Sequence, residues 1–182
     1  AMRDDVVHHP PISENVLWVL AAIFTASTDP TLFLFGAALV VGYFALLRPW
    51  ELAKLTSAAV LMPTDRTVSI SGAIWATVVL GTTKTRVHDS ARVLASETEA
   101  FQILGAVRDW TMSHPGEPLW LPSDCNALFS AVMESLGWRN AALTLKGLRP
   151  GAATALLRAG TSLPDIIERG RWAGDRTTLR SY

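Results

Sequence analysis

The sequence predicts a mainly helical domain carrying one small antiparallel β-sheet, an α+β arrangement. Three observations lead there. Apolar stretches with helical spacing occupy both ends of the chain. A β-branched, partly alternating stretch lies between them, from Thr67 to about Ser96. Glycine, proline and capping residues punctuate both textures.

Residues 1–12 read as an irregular lead-in. Ser13 is placed to cap a first helix, with Glu14 in the first turn where the helix dipole favours a negative charge. Val16 to Phe24 is apolar, and Ser27-Thr28-Asp29-Pro30 breaks it. A second apolar helix is expected over Leu32–Leu47, stopping at Arg48-Pro49. Pro49 suits the first turn of a short helix to Leu55, because its missing N–H costs nothing there. Glu51 is close enough to Arg48 to pair with it.

Three antiparallel strands are expected over Val68–Gly72, Ala73–Gly81 and Ala91–Ser96, with Lys84 at or beside the second turn. Helical spacing returns over Glu97–His114, with Ala100, Leu104, Val107 and either Trp110 or Met112 facing inward. Asn126–Leu136 is a further amphipathic helix, ended by Gly137. Thr144 is placed to cap a helix from about Gly147 to Arg158, with Leu148, Ala152, Ala155 and Leu156 on its core face and Gly160 stopping it. Ser162-Leu163-Pro164 starts another, with Asp165 in its first turn and Ile166 and Ile167 inward, ending near Gly170. A last helix or turn, Arg176 to Ser181, leads to Tyr182.

A chain of 182 residues, 49% hydrophobic and 18% charged, can bury a core as one domain and is not disordered. The single cysteine, Cys125, excludes an internal disulfide and fits an intracellular location, bacterial cytoplasm or eukaryotic nucleus. The opening residues are polar and proline-broken, unlike a secretory signal. The two apolar runs suggest a membrane hairpin, but the first is too short to span and the second falls under the usual threshold of about eighteen residues, so a buried helix pair explains both.

The formal net charge is zero, which counts against a free-standing DNA-binding domain. The charge is uneven, however. From Arg139 onward the bases are Arg139, Lys146, Arg149, Arg158, Arg169, Arg171, Arg176 and Arg180, against Asp165, Glu168 and Asp175. A cationic end on a neutral body suits a polyanion, although a solvated arginine-rich helix face accounts for the same pattern.

Phosphodiester chemistry without a metal needs cations on the non-bridging oxygens, a nucleophile, and a proton donor for the leaving oxygen. Arginine binds phosphate oxygens through a planar, permanently charged fork. Arg48 and Arg149 each sit at the edge of an apolar helical segment, so each can point from a rigid base into a cleft. Lys84 can serve as general acid, and Tyr182 can attack phosphorus. Taken singly, each has a plain reading: a surface ion pair, a turn lysine, a terminal aromatic. His8, His9, His88 and His114 show no metal-site spacing, and neither a glycine-rich phosphate loop nor a Gly-x-Ser-x-Gly occurs.

Order and context together decide among these. Gly42 to Thr56, GYFALLRPWELAKLT, resembles the first arginine motif of the tyrosine recombinases (the phage integrase family), in which an apolar helix runs into Leu-Arg-x-x-Glu-Leu-x-x-Leu. Leu80 to Leu94, LGTTKTRVHDSARVL, resembles the family's β-hairpin lysine motif. LTLKGLRPGAATALLRAGTSLPDIIERGRW resembles its His-x-x-Arg box and Gly-His/Trp motif, and Tyr182 closes the pattern. The match runs from about Ser13 to Tyr182 as one catalytic domain.

The resemblance implies a clamp of Arg48 and Arg149, Lys84 as general acid, and Tyr182 as nucleophile. Trp172 takes the His/Trp place, with Arg171 as the alternative, and Glu51 stands behind Arg48. It implies no metal or other cofactor, a 3′-phosphotyrosyl intermediate, double-stranded DNA as partner, and a homotetramer on two duplexes. Lys146 stands where the family has histidine, and an ammonium is a poor general base near neutrality. Pro150 follows Arg149 where the family has a second histidine, and Trp172 to Tyr182 looks one residue long. The family's N-terminal core-binding domain and C-terminal tail are not in this sequence. Two alternatives stay open: a DNA-binding relic that does not cut, and a type IB topoisomerase-like nicking-closing enzyme.

Overall fold

The computed structural model describes residues 9–53, 55, 59–63, 74–81, 89–113 and 125–172. Helix α1 (Glu14–Thr25) is capped as its sequence suggests, the Ser13 hydroxyl accepting from the Val16 N–H. Helix α2 (Pro30–Phe44) opens on an Asp29 cap with Pro30 in its first turn. Every residue from Leu34 to Tyr43 is buried, so the uniform apolarity of this helix follows from cover on all its faces. The cover comes from α1, from α4 (Thr98–Ser113) and from α6 (Leu148–Arg158). Among the described residues, no helix is long and apolar enough to cross a membrane.

The described residues are mostly helical, with a three-stranded antiparallel sheet in the order β1 (Val60–Leu61), β2 (Trp75–Gly81), β3 (Asp89–Leu94). The strand expected over Val68–Gly72 lies outside the described residues. Val60–Leu61, which pairs with Val78 and Thr77, has no counterpart in the sequence reading. Two residues carry too little pattern to be read as a strand. The third strand starts at Asp89, earlier than expected, and its inward positions are Asp89, Ala91 and Val93. Strand periodicity thus turns an aspartate to the same side as two core residues.

Helix α3 (Pro49–Leu52) stops short of the expected Leu55. In α4, Ala100, Leu104 and Val107 are buried and Met112 is exposed, so Trp110, half-buried, continues the inward stripe. Helix α5 (Cys125–Ser135) buries Phe129 and Met133. Thr144 precedes a 3-10 turn, Leu145–Gly147, without a capping bond; its hydroxyl lies 3.3 Å from His9 Nδ1. Helix α6 buries Leu148 and Ala152, while Ala155 and Leu156 are half-buried. In α7 (Leu163–Gly170) Ser162 caps the first turn and Ile166 faces the core.

The lead-in ends in a structural strap. Ile12 is fully buried, and its N–H donates to the Gly147 carbonyl at 2.9 Å. The strap lies so close on α6 that a Cβ at Gly151 would strike the Ile12 carbonyl.

Four helices end in the same paired-bond cap, in which a left-handed residue past the helix and the residue after it both donate back to its last turn. At α5 and α6 the left-handed residue is Gly137 or Gly160. At α2 and α7 it is Leu46 (φ 50°) or Arg171 (φ 55°). A left-handed non-glycine residue costs about 1 kcal/mol or more. Both of these lie within two residues of a side chain singled out above.

Tyr43 is 2% exposed, and its hydroxyl has no hydrogen-bond partner among the described residues. Burial pushes its phenol well above the ordinary range, and the Glu14 carboxylate adds to the shift. Tyr43→Phe is therefore expected to stabilise the protein by up to about 1 kcal/mol, because it removes an unsatisfied buried group. Urea denaturation of both proteins checks this; a loss of stability would mean that the hydroxyl has a solvent partner.

Candidate active site

Arg48 owes its position to the end of α2. The Leu47 N–H bonds to the Gly42 carbonyl (2.8 Å) and the Leu46 N–H to the Tyr43 carbonyl (3.0 Å), which turns the chain sharply. Leu46 and Leu47 are buried, and Arg48 then caps α3 with extended backbone. Glu51, one turn on, reaches back: its Oε2 accepts from the Arg48 N–H at 2.7 Å and its Oε1 from Arg48 Nη1 at 2.8 Å. The Glu51 side chain is 0% exposed and that of Arg48 is 29% exposed. The pair expected from sequence is present, but it is not a surface pair.

A third cation completes the group. Arg171, at the left-handed cap of α7, donates from Nη2 to Glu51 Oε2 (2.6 Å) and from Nη1 to the Ala45 carbonyl (3.3 Å). Its Nε lies 3.3 Å from Asp89 Oδ2. The result is an alternating row, Arg48–Glu51–Arg171–Asp89. The Glu51, Arg171 and Asp89 side chains are almost wholly buried. Burial lowers the pKa of the Arg171 guanidinium from its ordinary value, and the Glu51 and Asp89 carboxylates oppose that shift. Arg169 reinforces the same junction, donating to the Phe44 carbonyl (2.9 Å) and to Glu97 Oε1 (2.7 Å). Two arginines from the end of α7 thus satisfy carbonyls at the end of α2, where positive charge also complements the dipole.

Arg149 sits in the first turn of α6 and is buried. Its Nη2 donates to the Gly170 carbonyl. The Trp172 indole covers its guanidinium, 4.4 Å from Cζ to the ring centroid. This stack is possible because Gly170 has no side chain: a Cβ there would run into the Trp172 ring. Carbonyl and indole together fix the plane of the guanidinium. Lys146 lies in the turn just before α6 and is exposed.

The structure therefore brings Arg48, Glu51, Arg149, Arg171 and Trp172 to the end of α7. Between the two residues held open for the His/Trp place, Trp172 contacts Arg149 and Arg171 contacts the carboxylates. Lys84 and Tyr182, with the expected helix Arg176–Ser181, lie outside the described residues. The flanks of Lys84 are described: Gly81 and Asp89 are paired across β2 and β3. The sequence reading did not single out Asp89, Glu97 or Arg169 as site residues. The Asp89-Ala91-Val93 alternation is a signal that could have found Asp89; nothing local marks Glu97 or Arg169.

The cationic end is not a solvated helix face as a whole. Arg149 and Arg171 are buried, and the Arg169 side chain is 18% exposed. Among the described residues, no group of His, Cys, Asp and Glu is arranged to hold a metal ion. No protein-family model matches the chain. No curated protein matches it in sequence.

Proposed function

We propose that the chain is the catalytic core of a tyrosine recombinase, which cuts and rejoins double-stranded DNA through a 3′-phosphotyrosyl intermediate. One observation supports this most. Arg48 and Arg149, far apart in sequence, are both oriented by the same helix end: Arg48 through Glu51 and Arg171, Arg149 through the Gly170 carbonyl and Trp172. Two pre-oriented guanidiniums suit the oxygens of one phosphodiester, whose charge grows in the transition state.

In the reaction so read, the Tyr182 phenolic oxygen attacks phosphorus and its proton passes to water. The bond from phosphorus to the 5′ oxygen breaks, and Lys84 donates a proton to that oxygen. Attack by a 5′ hydroxyl reverses the step and frees the tyrosine. Arg48 and Arg149 hold the non-bridging oxygens throughout, and Trp172 keeps Arg149 in plane. Strand exchange then calls for four copies on two duplexes, inside the cell. Lys146, where the resemblance has histidine, favours a second reading in which the chain binds DNA without cutting it.

The test uses nicked duplexes randomised around the nick and looks for a covalent protein–DNA band on a denaturing gel. Wild type is expected to give the band and Tyr182→Phe none. DNA binding with no band from wild type would select the second reading.

A further inference from the structure

A cleft of about 390 Å³ opens where the strap, the start of α1 and helix α6 come together, with Ile12, Gly151 and Ala155 among its apolar walls. Beside it lies a second, mainly apolar space of about 200 Å³, bounded by Phe44, Leu46, Ala152 and Leu156. Glu14, Tyr43 and Ala155 line both, so the two spaces share a wall. None of Arg48, Arg149 or Trp172 lines either one.

Among the described residues, three polar groups on these walls are left over by the fold. The Tyr43 hydroxyl is buried and unpartnered. Arg158 makes no ion pair or side-chain hydrogen bond. Glu14 gives one oxygen to a long contact with the Trp18 indole N–H (3.4 Å) and keeps the other open. The three are neighbours: behind the larger effect of burial, the Glu14 charge raises the pKa of the Tyr43 phenol and the Arg158 charge lowers it. The cleft also takes in the N-terminus of α1, where the Ser13 hydroxyl serves Val16 and the helix dipole favours a negative charge. Water serves an exposed glutamate and an exposed arginine without any ligand. It does not serve a buried hydroxyl, whose lost hydration only a hydrogen-bonding partner offsets.

We infer that this double cleft binds a small zwitterion with an apolar side chain, an aromatic or large aliphatic α-amino acid. Its carboxylate meets Arg158 and the Tyr43 hydroxyl at the start of α1, its ammonium meets Glu14, and its side chain enters the space beside Leu46 and Leu156. Clefts of this volume hold small ligands. Binding there is independent of the reaction proposed above.

Ligand-observed NMR titrations measure the affinity of the chain for L-phenylalanine, for phenylpropionate, which lacks the ammonium, and for phenethylamine, which lacks the carboxylate. Phenylalanine is expected to bind at least about 3-fold more tightly than either, the scale of one exposed ion pair. Arg158→Gln is expected to weaken phenylalanine and phenylpropionate and to leave phenethylamine unchanged. Glu14→Gln should weaken phenylalanine and phenethylamine and leave phenylpropionate unchanged. Both side chains are exposed, so neither change threatens the fold. Tyr43→Phe, which relieves the empty protein of an unpaired group, is expected to weaken phenylalanine by about 3- to 10-fold.

No saturable binding of any of the three compounds at millimolar concentration would overturn the assignment. So would binding that all three variants leave unchanged, which would place the ligand elsewhere. Equal affinity for phenylalanine and phenylpropionate, with Glu14→Gln without effect, would overturn the zwitterion. Each outcome is read from binding alone and stands whether or not the chain cuts DNA.

Discussion

Glu51→Ala is expected to destabilise the protein by about 3–5 kcal/mol, the usual effect of removing one partner from a buried ion pair. Glu51 is wholly buried and accepts from Arg48 twice and from Arg171 once. Its loss leaves the Arg171 guanidinium, itself almost fully buried, short of its nearest counter-charge. It also uncaps α3 at the Arg48 N–H. Glu51→Gln should cost less, since an amide of the same shape still accepts one of these bonds. Urea denaturation of the three proteins checks the order. If alanine and glutamine cost the same small amount, the row of charges contributes little, and the carboxylate is present for the site rather than for the fold.

Gly170→Ala carries the second large effect, and it falls on the site. The added methyl occupies the space of the Trp172 ring. Overpacking of this kind costs about 1–3 kcal/mol of stability. The indole cannot then stay on the Arg149 guanidinium, so one face of that side chain loses its support. Covalent complex formation is expected to fall by about 100-fold, the scale of a 1 Å misplacement, while DNA binding changes little. Denaturation curves and the covalent-band assay on the same preparations read both effects. Unchanged activity would show that the Trp172 stack does not orient Arg149.

Much of the fold was legible because its signals are local. Ser13 and Ser162 cap helices, Pro164 opens one, and Gly137 and Gly160 close them, each through bonds within a few residues. Where the cue was absent, the reading failed. Ala45 to Leu47 is as apolar as the helix before it, so nothing in composition shows that α2 stops at Phe44 with Leu46 left-handed. Only the cap bonds and the burial of Leu46 and Leu47 decide it. The two-residue strand β1 carries no period at all, and its pairing to β2 is a tertiary fact.

The site divides the same way. Spacing alone placed Glu51 beside Arg48 and singled out Arg149 at a helix start, because both relations span one turn or less. Sequence also supplied the order of motifs on which the functional reading rests. What spacing could not show is that α7 ends against the end of α2. That contact spans more than a hundred residues, and it rests on Arg169 and Arg171 meeting the carbonyls of Phe44 and Ala45. Charge in the sequence is only a sum. Burial of Arg149, Arg171, Glu51 and Asp89 turns part of that sum into paired, oriented groups, and only packing decides which charges are withdrawn from water.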